Sequence, residues 1–223
     1  MPNLSLESMQ ALPSKRSADT LADLERLAAA GTETELDLLA LVGAESFRQA
    51  ERRGNFHLVA RGSGMHFADD LFELLSHSAL FSGLTHAEVR LLGEVMRVYD
   101  APAGQTLITE GDQGDFMLLL MTGCMEVVRT GPHGFPNRIA MAWPGQTLGE
   151  MSMIDGMPRF ASCVTRETCR VGVIGRRAML ALLQQQPSLG NKVLLKMVSM
   201  LSERLRATSS KLVDCIETCQ LHQ

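Results

Sequence analysis

From Arg97 to Gly175 the chain runs as short apolar segments separated by turns, most of which carry glycine. The segments are Arg97–Tyr99, Thr106–Thr109, Phe116–Met121, Met125–Arg129, Arg138–Ala142, Ser162–Thr165 and Arg170–Gly175. Between them stand Ala103-Gly104, Gly111-Asp112, Gly123, Gly131-Pro132 and Pro144-Gly145. Segments this short cannot bury a helical stripe, whereas paired strands joined by tight turns can close a core. Tight hairpins need positive φ, which glycine adopts at little cost. The pattern predicts a small antiparallel β-roll or jelly-roll barrel.

Helical patterns flank this region. Phe67 to His77 and Thr85 to Met96 read as helices, and Thr85 with Glu88 forms a capping box for the second. Upstream, Thr20 to Ala30 carries Leu21, Leu24 and Leu27 at three-residue spacing, and Thr32 to Arg53 opens on Thr32 and Glu35, a second capping box. Arg61 to Gly64, RGSG, reads as a linker. From Ser188 to about Cys219 a third pattern takes over. Leu194, Val198, Leu201, Leu205, Thr208, Leu212, Cys215 and Cys219 alternate in steps of four and three, the a/d seam of a coiled coil. Such a seam needs a partner helix, and its own copy in a second subunit supplies one, giving a homodimer. The predicted class is α+β: a small antiparallel β-roll flanked by helices, with a long C-terminal dimerisation helix. Its parts are an N-terminal helical extension over 1–64, the roll over 65–187 and the coiled-coil-like helix over 188–223.

Charge and cysteine content exclude several classes. The 25 acidic against 21 basic residues leave a net charge of −4, with no footprint for nucleic acid or anionic lipid. The N-terminus shows no charged stretch followed by an apolar one, so no secretory leader is expected, and the longest apolar run, Leu38 to Ala44, is too short for a membrane span. Five cysteines without C-x-x-C spacing fit a reducing, cytoplasmic location. Cys215, Cys219 and His222 share a helix face but lack the tight pairs of a structural zinc site. Ser152 and Ser162 have no base arranged nearby, so no enzyme is expected. Met153, Met157 and Trp143 read as packing residues.

The chemistry concentrates in Leu148 to Ala161, LGEMSMIDGMPRFA. Gly149-Glu150 followed by Pro158-Arg159 and Phe160-Ala161 resembles the phosphate-binding cassette of the cyclic nucleotide-binding domain family. The stretch PAGQTLITEGDQGDFMLLLMTGCMEVV resembles the opening of the same fold, and the resemblance extends over roughly residues 67 to 215. It implies a β-roll that binds a cyclic nucleotide, with cAMP the first candidate. Arg159 then clamps the phosphate, because a guanidinium fork meets two oxygens at once. Glu150 accepts from the ribose 2′-hydroxyl, Gly149 lets the backbone approach, and Met151, Ser152, Phe160 and Ala161 complete the cassette. Members with a dimerising helix read the adenine amino group with a Thr-Ser pair, which falls here on Thr208 and Ser209.

Two departures matter. Phe160 stands where the family has Ala, Ser or Thr, which removes one hydroxyl from the phosphate and argues against cGMP by that route. The ring could enter the core, stack on a base, or mark a pocket reshaped for cyclic di-GMP. After Thr208 only about fifteen residues follow, too few for the helix-turn-helix of DNA-binding relatives. The expectation is a cyclic nucleotide receptor that signals through a protein partner without direct DNA binding; a scaffold that keeps the fold without ligand is the alternative.

Overall fold

The computed structural model describes residues 57–76 and 83–221, together with Ala40, Leu41, Ala44, Phe47, Arg48 and Glu51, which are helical. The helix expected from Thr20 to Ala30 lies outside these residues. Nine strands follow in chain order: β1 Val59–Ser63, β2 Met96–Ala101, β3 Thr106–Ile108, β4 Phe116–Thr122, β5 Met125–Thr130, β6 Pro136–Ala142, β7 Thr147–Leu148, β8 Ser162–Thr165 and β9 Cys169–Gly175. They form two antiparallel sheets, β1-β2-β9-β4-β7 and β3-β8-β5-β6. The helices are α1 Ala68–Ser76, α2 His86–Glu94, α3 Glu150–Asp155, α4 Arg176–Gln185 and α5 Pro187–Leu221. This is the α+β roll that the turn pattern predicted, with the long C-terminal helix that the heptad spacing predicted.

Strand β4 explains the layering. Phe116, Leu118 and Leu120 face the second sheet, while Met117, Leu119 and Met121 face the helices. A strand buried on both sides has no polar face to show, so it reads as an unbroken apolar run. The helical layer packs Leu71, Leu75, Val89 and Leu92 of α1 and α2 with Met179 and Leu182 of α4 and Leu189, Val193 and Met197 of α5. The inter-sheet core holds Tyr99, Leu107, Ile108, Met125, Val171 and Val173.

Capping fixes α2 where the sequence placed it. Thr85 Oγ1 accepts from the Glu88 amide, and Glu88 Oε2 accepts from the Thr85 amide at 2.8 Å. Lys192 of α5 donates to the other Glu88 oxygen at 2.7 Å. That bond, first, and the cap hold the Glu88 carboxyl below its ordinary pKa.

Three expectations need correction. Arg61–Gly64 is no linker: β1 pairs with β2 from Val59↔Asp100 to Ser63↔Arg97, with a bulge at Ala60/Gly62. Arg61 is fixed by a 2.7 Å bond to Asp100, so the roll begins before residue 65. Strand β7 and helix α4 went unread. The first is two residues long, and the second follows Gly175, an N-cap with no side chain to mark it. Phe47, assigned to a separate extension, is fully buried in the inter-sheet core, edge-on to Tyr99 and Phe116.

Candidate functional site

Gly149 opens the site. It is the N-cap of α3 with φ 78° and ψ 6°, a left-handed conformation that disfavours a side chain. A Cβ there would also lie 2.5 Å from Arg159 Nη1. Gly114, in the loop before β4, lies against the guanidinium so closely that a Cβ would overlap it. Two bare backbone positions therefore make the slot that Arg159 fills.

Arg159 is 4% exposed. Its Nη1 donates to the Gly149 carbonyl and its Nη2 to the Phe116 carbonyl, both at 2.8 Å. The Phe116 ring lies beneath the guanidinium, 4.3 Å from the ring centroid to Cζ. Burial lowers the Arg159 pKa from its ordinary value, while Asp115, Glu150 and Asp112 act in the opposite direction. Two of five N–H groups are thus committed to carbonyls, leaving donors for an anion. The Cys163 thiol, also buried, is pushed up to about 12, chiefly by desolvation, and stays protonated.

Glu150 is 2% exposed. Arg204 of α5 donates from Nη1 to Glu150 Oε1 at 2.5 Å and from Nη2 to the Thr147 carbonyl at 2.6 Å. Glu150 Oε2 is buried with no hydrogen-bond partner among the described residues. A buried acceptor left unpaired is costly. This one fits a ligand hydroxyl.

The remaining candidates divide. Ser152 and Ala161 are buried in the cassette, whereas Met151 is exposed. Phe160 does not enter the core: it is half exposed, and the Arg129 guanidinium stacks 3.9 Å from its ring centroid. Thr208 and Ser209 are exposed, and Thr208 Oγ1 donates to the Arg204 carbonyl of its own helix. The structure joins Gly149, Glu150 and Arg159, and joins α5 to them through Arg204. Arg204 was missed because a lone arginine on a polar helix face looks like any solvated residue. Gly114 and Phe116 were missed because their role lies in contacts distant along the chain. A cavity of about 400 Å³ is lined by Asp70, Glu73, Met121, Thr122 and Arg170. It lies apart from the cassette, and Arg170 there is held by Asp100 at 2.7 Å.

Comparison with known proteins bears on the family and the fold. The profile of the cyclic nucleotide-binding domain matches residues 100–186. The crystal structure of a cyclic nucleotide-binding domain from Methylobacillus flagellatus is 36% identical, with a TM-score of 0.68, and the match covers 75% of this chain and 93% of that one. The chain belongs to the cyclic nucleotide-binding domain family. Within the family it is 28% identical over 146 residues to a CRP-like cAMP-activated global transcriptional regulator of Mycobacterium tuberculosis, covering 66% of this chain and 63% of that protein. It is 30% identical to the cyclic AMP receptor protein of Thermus thermophilus, covering 60% and 61% respectively. The chain thus matches less than two thirds of the length of these curated relatives. No helix among the described residues is long and apolar enough to cross a membrane.

Proposed function

We propose that this chain is a cytoplasmic cyclic nucleotide receptor, with cAMP its first ligand, and that it regulates a partner protein rather than catalysing a reaction. The observation that carries the reading is the pairing of a buried guanidinium with a buried carboxylate oxygen that has no partner. Arg159 takes the cyclic phosphate, and Gly149 with the amides opening α3 completes the cradle. Glu150 Oε2 accepts from the ribose 2′-hydroxyl, and Arg204 holds the other oxygen of that carboxylate. Ser152, Ala161 and Met151 form the cassette around them.

Helix α5 carries the signal. Leu189, Val193 and Met197 bind it to its own subunit, while Leu194, Val198, Leu205 and Leu212 of the a/d seam are 42–68% exposed. We assign that seam to a homodimer contact. Thr208 and Ser209, exposed in one chain, then meet the base at the two-fold interface. Ligand binding shifts the angle between α5 and the roll through Glu150 and Arg204, a population shift between two arrangements.

A second ligand, cyclic di-GMP, is favoured by one feature: the half-exposed Phe160 ring carrying Arg129 adds an aromatic surface and a cation beside the cassette. Thermal unfolding with cAMP, 2′-deoxy-cAMP, cGMP, cyclic di-GMP and 5′-AMP separates these readings. Stabilisation by cAMP, weaker with the deoxy analogue and absent with 5′-AMP, is expected. Preference for the dinucleotide supports the second reading, and no shift with any nucleotide overturns both.

A further inference from the structure

Arg159 rests on a floor that another part of the chain supplies. The Phe116 ring lies 4.3 Å below its guanidinium, and the Phe116 carbonyl accepts from Nη2 at 2.8 Å. Phe116 is in turn held by Phe47, whose ring meets it edge-on at 5.1 Å and 69°. Phe47 also meets Tyr99 of β2 edge-on at 5.4 Å and 63°. Phe47 is completely buried and helical, yet precedes the first strand by twelve positions. Ala40 and Ala44, at four- and three-residue steps before it, are also buried. One helix face therefore enters the inter-sheet core and ends against the ring under the guanidinium.

The packing gives this chain of contacts a direction. A core ring cannot shift without its neighbours responding, because interiors are close-packed. Without the Phe47 edge, Phe116 faces a void and has rotamers available that the native core denies it. The guanidinium then loses a ring that fixes its plane, although Gly149 and Phe116 still offer their carbonyls.

We infer that Phe47 is a positioning residue for the anion-binding guanidinium, so that the helical segment bearing it is coupled to occupancy of the nucleotide site. This rests on the receptor reading above and extends it. Coupling between sites is reciprocal. A ligand that holds Arg159 must firm up the seat of Phe47, and loosening that seat must weaken the ligand. The segment before β1 thereby becomes a place where occupancy is transmitted or sensed.

The test compares Phe47→Leu with Leu182→Ala, a fully buried residue of the other core cluster. Affinity for cAMP, the unfolding midpoint and amide exchange over residues 40–51 are measured for each. Phe47→Leu should weaken cAMP by about three- to tenfold, the scale of one lost aromatic contact. Leu182→Ala should destabilise at least as much and change affinity less than twofold. In wild-type protein, cAMP should slow exchange over 40–51. Unchanged affinity in Phe47→Leu, with wild-type binding intact, overturns the inference and leaves the receptor reading standing. Absence of any cyclic nucleotide binding by wild type removes both. If Phe47→Leu proves unfolded, the wild-type readout decides alone: slower exchange over 40–51 with cAMP supports the inference, and unchanged exchange there on a protein that binds cAMP overturns it.

Discussion

At the scale of single residues, the burial of Arg159 calls for a role beyond stability. A guanidinium 4% exposed would be a poor device for stability alone, since the cost of desolvating it offsets much of what its hydrogen bonds return. Its two carbonyl bonds and the Phe116 face orient it. Lysine at this position keeps the charge and loses the fork. Arg159→Lys should lower cAMP affinity by about ten- to a hundredfold, measured by titration calorimetry. Asp100 provides a pH test independent of ligand. Its bond to Arg170, first, and that to Arg61 hold its carboxyl below the ordinary 3.8. A lowered carboxylate pKa adds stability that is fully present above 3.8 and is lost as pH falls through the folded value. The urea midpoint should therefore drop between pH 5 and pH 2 in wild type, and less so in Asp100→Asn. Gly149, Glu150 and Arg159 were readable as a group because their types and spacing resemble a family motif, and the fold brings them together. Phe160 was not, because the sequence left the core, a base stack and a reshaped pocket open as places for its ring, which lies against Arg129.

At the scale of elements, α5 is tied to the candidate site by a side chain. Arg204 joins α5 to Glu150 and to the Thr147 carbonyl of β7. Arg204→Ala leaves Glu150 a buried, unpaired carboxylate and should cost about 2 kcal/mol, discounted for the part-exposed arginine, in chemical denaturation. It should also weaken cAMP. The seam makes a separate demand. From Glu203 to Asp214 every described side chain except Arg204 is exposed, with Leu205 at 68% and Leu212 at 61%. A helix of this length gains little stability in water without packing. Leu205→Glu with Leu212→Glu should convert a dimer to a monomer in sedimentation, whereas Leu195→Glu, off the seam, should not. The heptad spacing was legible because it repeats over many turns. The face that docks α5 on its own subunit, Leu189, Val193 and Met197, lay inside the same apolar stretch and needed the fold to separate it.

For the whole molecule, two core clusters meet at the first sheet: one packs the helices, including the first turns of α5, and the other, between the sheets, holds Phe47. The strand succession was legible because glycine turns mark most boundaries, and seven expected strands match observed ones within a few residues. The start of the roll was not, because β1 holds RGSG, whose composition reads as a turn although Arg61 and Ser63 are tied to β2. Linkage also acts on the whole molecule: a ligand at about a hundred times its Kd adds ~2.7 kcal/mol of stability. Spread over a chain of 223 residues, that should raise Tm by several degrees. The central claim is that the Arg159–Glu150 pair holds a cyclic nucleotide, and calorimetric titration of ligand-free protein with cAMP tests it most directly. The account predicts one nucleotide per chain, with heat lost in Arg159→Ala while that variant still unfolds cooperatively. Folded wild-type protein giving no heat with cAMP, cGMP or cyclic di-GMP, or Arg159→Ala binding as wild type does, would contradict it.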